Sequence, residues 1–168
     1  ASSRAEDLKT TLDTVTGSAK AGDDAFKFIN DFATRTPFDI ETLTETFIKL
    51  KSSGIEPTEE LLTSFGDMAS VTTDRIGSLN AVTDLFSRTT SSGLGLEELN
   101  RLADRGIPVF KILEENLGLA RLEISEFGKS AEGAAKIKDA LLKGLDENFG
   151  GGMEKASKNL SVSLSNLG

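Results

Sequence analysis

Three adjacent glutamate pairs, Glu59-Glu60, Glu97-Glu98 and Glu114-Glu115, are the densest chemistry-bearing groups in the sequence. Facing carboxylates can share a proton or flank a scissile bond, but neighbouring helical positions point about a hundred degrees apart, so the members of each pair do not face one another. They read as solubilising pairs on helix surfaces. Serine and threonine are plentiful, yet the chain has neither histidine nor cysteine. That removes the Ser-His-Asp triad, thiolate nucleophiles, imidazole and thiolate metal ligands, and disulfides. No Ser-x-x-Lys signature stands in a convincing setting for a Ser-Lys dyad. Gly150, Gly151 and Gly152 lack the preceding strand and the Lys-Ser or Lys-Thr of a phosphate loop. The sequence thus offers no catalytic, cofactor-binding or metal-binding residue, and the expectation is a protein that is not an enzyme.

The elements that carry these groups are helical. Nothing shows the sustained alternation of a half-buried strand, whereas apolar residues recur at threes and fours throughout. Leu8, Leu12 and Val15 form a first stripe that Gly17 closes, and Phe26, Ile29, Phe32 and Ala33 form a second. Thr36 and Pro37 suit a helix start, which places the next helix from Thr36 with Ile40, Leu43, Phe47 and Leu50 inward and Gly54 as its stop. Pro57 and Thr58 open another as first-turn residues, with Glu59 and Glu60 where the helix dipole favours negative charge and Leu61, Leu62, Phe65, Met68 and Ala69 buried. From about Asp74, Ile76, Leu79, Val82, Leu85 and Phe86 continue the pattern until Thr89 to Gly93, read as a surface loop.

Farther along, Leu96, Leu99 and Leu102 face inward, Gly106 ends their helix, and Pro108 starts one carrying Phe110, Leu113 and Leu117. Helix, tight turn and helix invite comparison with a DNA-reading unit. The second helix, however, presents Lys111 against Glu114 and Glu115, the wrong chemistry for base edges and phosphates. Ala134, Ile137, Leu141, Leu145 and Phe149 line a long helix from about Ala131, and Gly150 to Gly152 mark a hinge or break. Beyond it, Met153, Ala156, Leu160, Leu164 and Leu167 keep helical spacing, so this tail either folds back on its own domain or seeks a partner.

The chain of 168 residues is 38% hydrophobic, enough for one real core with an appended helix. It carries no run of about eighteen apolar residues to span a bilayer and no basic-then-apolar leader. Its start at Ala-Ser-Ser suits a segment of a longer protein. The net charge of −8 opposes phosphate-rich partners. Between Thr36 and Ser70, seven acids (Asp39, Glu41, Glu45, Glu56, Glu59, Glu60 and Asp67) face two lysines, Lys49 and Lys51, and the region reads as a solvated acidic face.

Two segments together carry a further signal: RTPFDIETLTETFIKLKSSGIE, Arg35 to Glu56, and LEELNRLADRGIPVFKILEENLG, Leu96 to Gly118. In type and order they resemble the tape measure proteins of tailed phages and prophages. There a Thr-Pro-Phe lead-in precedes an amphipathic helix and a Gly-Ile turn, and a later Glu-Glu-Leu-Asn-x-Leu helix ends in Arg-Gly-Ile-Pro. The resemblance covers roughly residues 25–150 and involves no catalytic residue. The helical period makes the expected fold all-α, a compact multi-helix bundle of short amphipathic helices, and the resemblance favours a C-terminal helix that extends away from it. The expected division is 1–24 as a helical lead-in, 25–149 as the tape-measure-like domain, and 150–168 as a Gly-hinged amphipathic helix leading onward.

The function so implied is a structural one, in a protein that lies inside the growing tail tube, sets tail length and takes part in DNA ejection. Partners implied are tail tube, tail-tip or tail chaperone proteins, or further copies through the C-terminal helix, with no sequence-specific nucleic acid and no membrane. The places implied are the virion tail interior and the host bacterial cytoplasm during assembly. The rival reading from the residues alone is a cytosolic acidic helical adaptor that binds a partner peptide or helix.

Overall fold

The computed structural model describes residues 2–88 and 93–158. Among them, nine helices pack around one core: α1 (Ser2–Thr16), α2 (Ala19–Ala33), α3 (Ile40–Ser52), α4 (Glu59–Ser70), α5 (Arg75–Arg88), α6 (Leu96–Ala103), α7 (Val109–Leu117), α8 (Arg121–Phe127) and α9 (Ala131–Phe149). Residues 152–158 are helical again. Leu160, Leu164 and Leu167 of the tail, and Thr89 to Ser92, expected to form a surface loop, lie outside the described residues.

α4 is the centre. Every residue from Ser64 to Ser70 is buried, so this helix lacks the polar stripe of a surface helix and must be covered on all sides. α5 and α9 pack on it, and α5 in turn contacts α3 and α6. The N-terminal end is built by α1, α2 and α3 packing on one another, the other end by α7 against α9 and α6. A single cluster of buried side chains runs from Leu12 to Met153. Several buried hydroxyls bond the preceding turn of their own helix: Ser70 donates to the Gly66 carbonyl at 2.6 Å, and Thr83 to the Leu79 carbonyl at 2.7 Å.

The helix ends show what the local sequence does. Asp39, not Thr36, starts α3: its carboxylate accepts from the Thr42 amide at 2.8 Å. Thr36 instead accepts from the Phe38 amide at 3.1 Å in a tight turn. The turn seats Phe38 in the core, 5% exposed, and the charged acceptor three residues on caps more strongly than a hydroxyl. Thr58 likewise is the cap of α4 rather than its first turn, accepting from the Leu61 amide at 3.1 Å, with Glu59 and Glu60 following in the first turn. Ser18 and Ser130 cap α2 and α9 in the same way.

The two motif helices, α3 and α6, end in one shared device. At Gly54 and Gly106 φ is +85° and +87°, and the amides of Ile55 and Ile107 reach back to the carbonyls of Leu50 and Leu102 at 2.9 and 3.2 Å. This is the 6→1 bond of a Schellman end, which needs the left-handed residue that glycine supplies and an apolar residue after it. Ile107 is buried and Ile55 half-buried.

Several stripe positions differ from the pattern. Ile40 and Ile76 are 40% and 52% exposed. Each sits in the first turn of its helix, beyond the reach of the packed neighbours. α8 has no stripe in the sequence, because of its seven residues Ile124 is the one fully buried. It is held by its ends: Glu123 accepts from the Ala120 amide at 3.0 Å, and the Gly128 carbonyl accepts from the Leu94 amide at 2.7 Å.

Candidate functional site

The expected acidic face exists only in part. Arg4 on α1 pairs with both Glu41 and Glu45 of α3, Arg35 pairs with Glu59 at 2.6 Å, and Lys51 with Glu56 at 2.7 Å. Lys49 reaches Asp84 of α5 at 3.3 Å. Arg4 and Arg35, from outside the stretch, therefore offset part of its negative charge, whereas Lys49 is turned to Asp84 outside it, and such exposed pairs add little stability. The Arg4 guanidinium is held still more firmly charged by hydrogen bonds to Glu41 and Glu45. Lys9 is raised in the same way by Asp13 and Asp23, while the Asp39 carboxyl is lowered by its Thr42 hydrogen bonds. Burial lowers Lys138, whose ammonium lies 5.9 Å from the Phe86 ring centre.

Asp67 leaves the acidic face altogether. It is 7% exposed, and its two carboxylate oxygens accept from the amides of Gly151 at 3.1 Å and Met153 at 3.0 Å. The glycine break after α9 is thereby clamped to α4. Gly151 takes φ +83°, and a Cβ on Gly152 would overlap the Asp67 carbonyl. Met153 lies against Gly66, where a Cβ would overlap its sulfur, and Met153 and Ala156 are 6% and 5% exposed. The described start of the tail thus folds back on its own domain. Next to this joint, Ser64 donates to Asp146.

One open groove of ≈ 410 Å³ lies between α2, α3 and the start of α4, with Ala25, Phe28, Phe47 and Pro57 on its apolar walls. Asp24, Glu56 and Glu59 on its edge are each already paired with a base. Of the glutamate pairs, Glu59 is taken by Arg35 and Glu97 by Arg101, and the three pairs sit on three different helices. Among the described residues no group of three or more Asp or Glu is placed to hold a metal ion, and no helix is long and apolar enough to cross a membrane. The exposed positions of α7 include Lys111, Glu114 and Glu115, its Val109, Ile112 and Leu113 being buried. What the geometry offers is packing and a joint at Gly151 and Met153 tied to α4, with no constellation for chemistry brought together among the described residues.

The family model for tape measure proteins matches residues 1–168. The chain belongs to the tape measure protein family. Consistent with that, this tape measure chain is 26% identical over 153 residues to "Mu-like prophage FluMu protein gp42" of Haemophilus influenzae. The match covers 87% of the present chain and 24% of that relative, so the chain spans about a quarter of the relative's length. No solved structure matches. The family is one of phage tail structural proteins, and the two Gly-Ile turns and the helices before them, through which the resemblance is legible, form two of the helix ends of this tape measure domain.

Proposed function

We propose that this domain is a structural segment of a phage or prophage tail tape measure protein, and that the full-length protein sets tail length during assembly and takes part in DNA ejection. The observation that carries the reading is the family match along all 168 residues, on a chain whose helices close on one core. Its partners in this role are proteins: tail tube, tail-tip or tail chaperone subunits, met in the host cytoplasm during assembly and in the tail afterwards.

The fold refines the role. As one continuous helix, 168 residues would span about 250 Å, at 1.5 Å per residue. Folded into a bundle, the same residues have a radius of gyration of about 15 Å and a breadth of about 40 Å. The longest described helix, α9 with 19 residues, spans about 28 Å. A closed bundle is therefore a poor ruler per residue and a good end-piece, with surfaces to hand to a tail component.

The test is an in-frame deletion of this segment from the parent phage gene, with tail length measured by electron microscopy. The expected result is loss or stunting of tails, or tails about 40 Å shorter. Well-formed tails about 250 Å shorter would refute the compact role and make the segment part of an extended ruler. Well-formed tails of parental length would refute a tail role for it.

A further inference from the structure

We propose that the joint between α9 and the helical residues 152–158 is a latch, with Asp67 as its catch, that can open without unfolding the bundle and so swing residues 152–158 off α4. The catch is specific. A carboxylate 93% out of solvent spends both oxygens on the amides of Gly151 and Met153, 84 and 86 residues away in sequence. The seat is fitted too, because Gly66 and Gly152 each approach so closely that a Cβ would collide, with the Met153 sulfur in one case and the Asp67 carbonyl in the other.

The latch is separable because little else holds it. Of residues 152–158, the core-facing apolar side chains are Met153 and Ala156, whereas α9 buries Ala134, Ile137, Ala140, Leu141 and Leu145 against α7 and α4. Segments with few buried contacts open at a lower free energy than the domain as a whole. Gly150 and Gly151 supply the backbone freedom for the swing. Opening also leaves no buried charge behind: once the segment lifts away, Asp67 meets water instead of an apolar wall, so its hydration replaces the lost amide bonds. The surface uncovered includes Gly66, which Met153 covers, and the side of Val71 that faces Gly152, Val71 being already 47% exposed just past the end of α4.

The absence of native cysteine permits a direct distance measurement. Thr73→Cys and Glu154→Cys, both at exposed positions on the two sides of the joint, would carry spin labels in the full chain, with and without Asp67→Ala or Gly152→Val. The expected result is one narrow, short distance in the parent, and a broad, longer distribution in both variants, with helical circular dichroism and a single cooperative melt retained. Unchanged distances in both variants would overturn the latch. Lengthening in the Gly152 variant alone would overturn the role of the carboxylate. Loss of the cooperative melt in both would make residues 152–158 part of the bundle's indispensable core and overturn separability.

Discussion

Replacing Phe65 with alanine puts the packing argument at risk most directly. Phe65 is wholly buried on the central helix, and its ring meets Phe86 edge-on, with centroids 4.9 Å apart and planes at 62°. Truncation removes the ring's transfer free energy and leaves a cavity that α5 and α9 cannot both close, a loss of about 3 to 5 kcal/mol. A domain of 168 residues has an unfolding entropy of about 0.35 kcal/mol/K at its midpoint, so Tm should fall by about 9 to 14 °C. Phe47 gives an internal comparison: it is 6% exposed and borders the ≈ 410 Å³ groove, so water and neighbouring side chains can relax into its space. Phe47→Ala should therefore cost about 3 kcal/mol, the low end of the same range. Without tryptophan or tyrosine, the assay is far-ultraviolet circular dichroism, by heat and by urea, with an unchanged urea slope to show that the two-state comparison holds. A Phe65→Ala melt within about 3 °C of the parent, or a Phe47→Ala loss larger than that of Phe65→Ala, would refute the placement of α4 at the centre.

Other substitutions probe the remaining elements. Asp39→Ala should cost about 1 kcal/mol by removing the α3 cap. Because the Asp39 carboxyl is lowered by its Thr42 bonds, its stabilisation is complete above about pH 4 and disappears as pH falls through the lower folded-state value. Melting parent and variant at neutral pH and at about pH 2 should show a gap that closes in acid. Gly144→Ala should cost about 1 to 3 kcal/mol, since a Cβ there would overlap the Ile112 side chain. Adding Ile112→Ala should give less than the sum of the two losses in a double-mutant cycle. Leu122→Ser, at a position 80% exposed, should leave stability within about 0.5 kcal/mol by the same melts.

Most helices were legible in the sequence because their apolar residues repeat with the helical period, and both motif turns because glycine and the apolar residue after it act within six residues. The misreadings have equally local causes. Thr36 and Asp39 are both competent caps three residues apart, and burial of Phe38 decides between them. α8 was missed because its stability comes from its end bonds, not from a stripe. Ile40 and Ile76 fit their stripes by spacing but extend past their partners, which periodicity does not register. Asp67 is the instructive case. As a residue type it belongs on the surface. Its burial follows from amides more than eighty positions downstream, and no local pattern of one sequence encodes such a pairing. The same long reach hid how Gly150 to Gly152, read as a hinge or break, are held: the helix does break after Phe149, and the break is clamped to α4.

That long reach also bears on how the chain is made. At about 5 to 20 residues per second, a ribosome takes about 4 to 17 s to synthesise the 84 residues between Asp67 and Gly151. For those seconds α4, buried in the finished fold at every residue from Ser64 to Ser70, waits in water without α9 or the residues that close its last face. An ionisable carboxylate in the middle of that face keeps it wetted and discourages the wrong helix, or a neighbouring nascent chain, from settling there. The residue that finally ties the joint down thus guards the vacant place until its own partner has been translated.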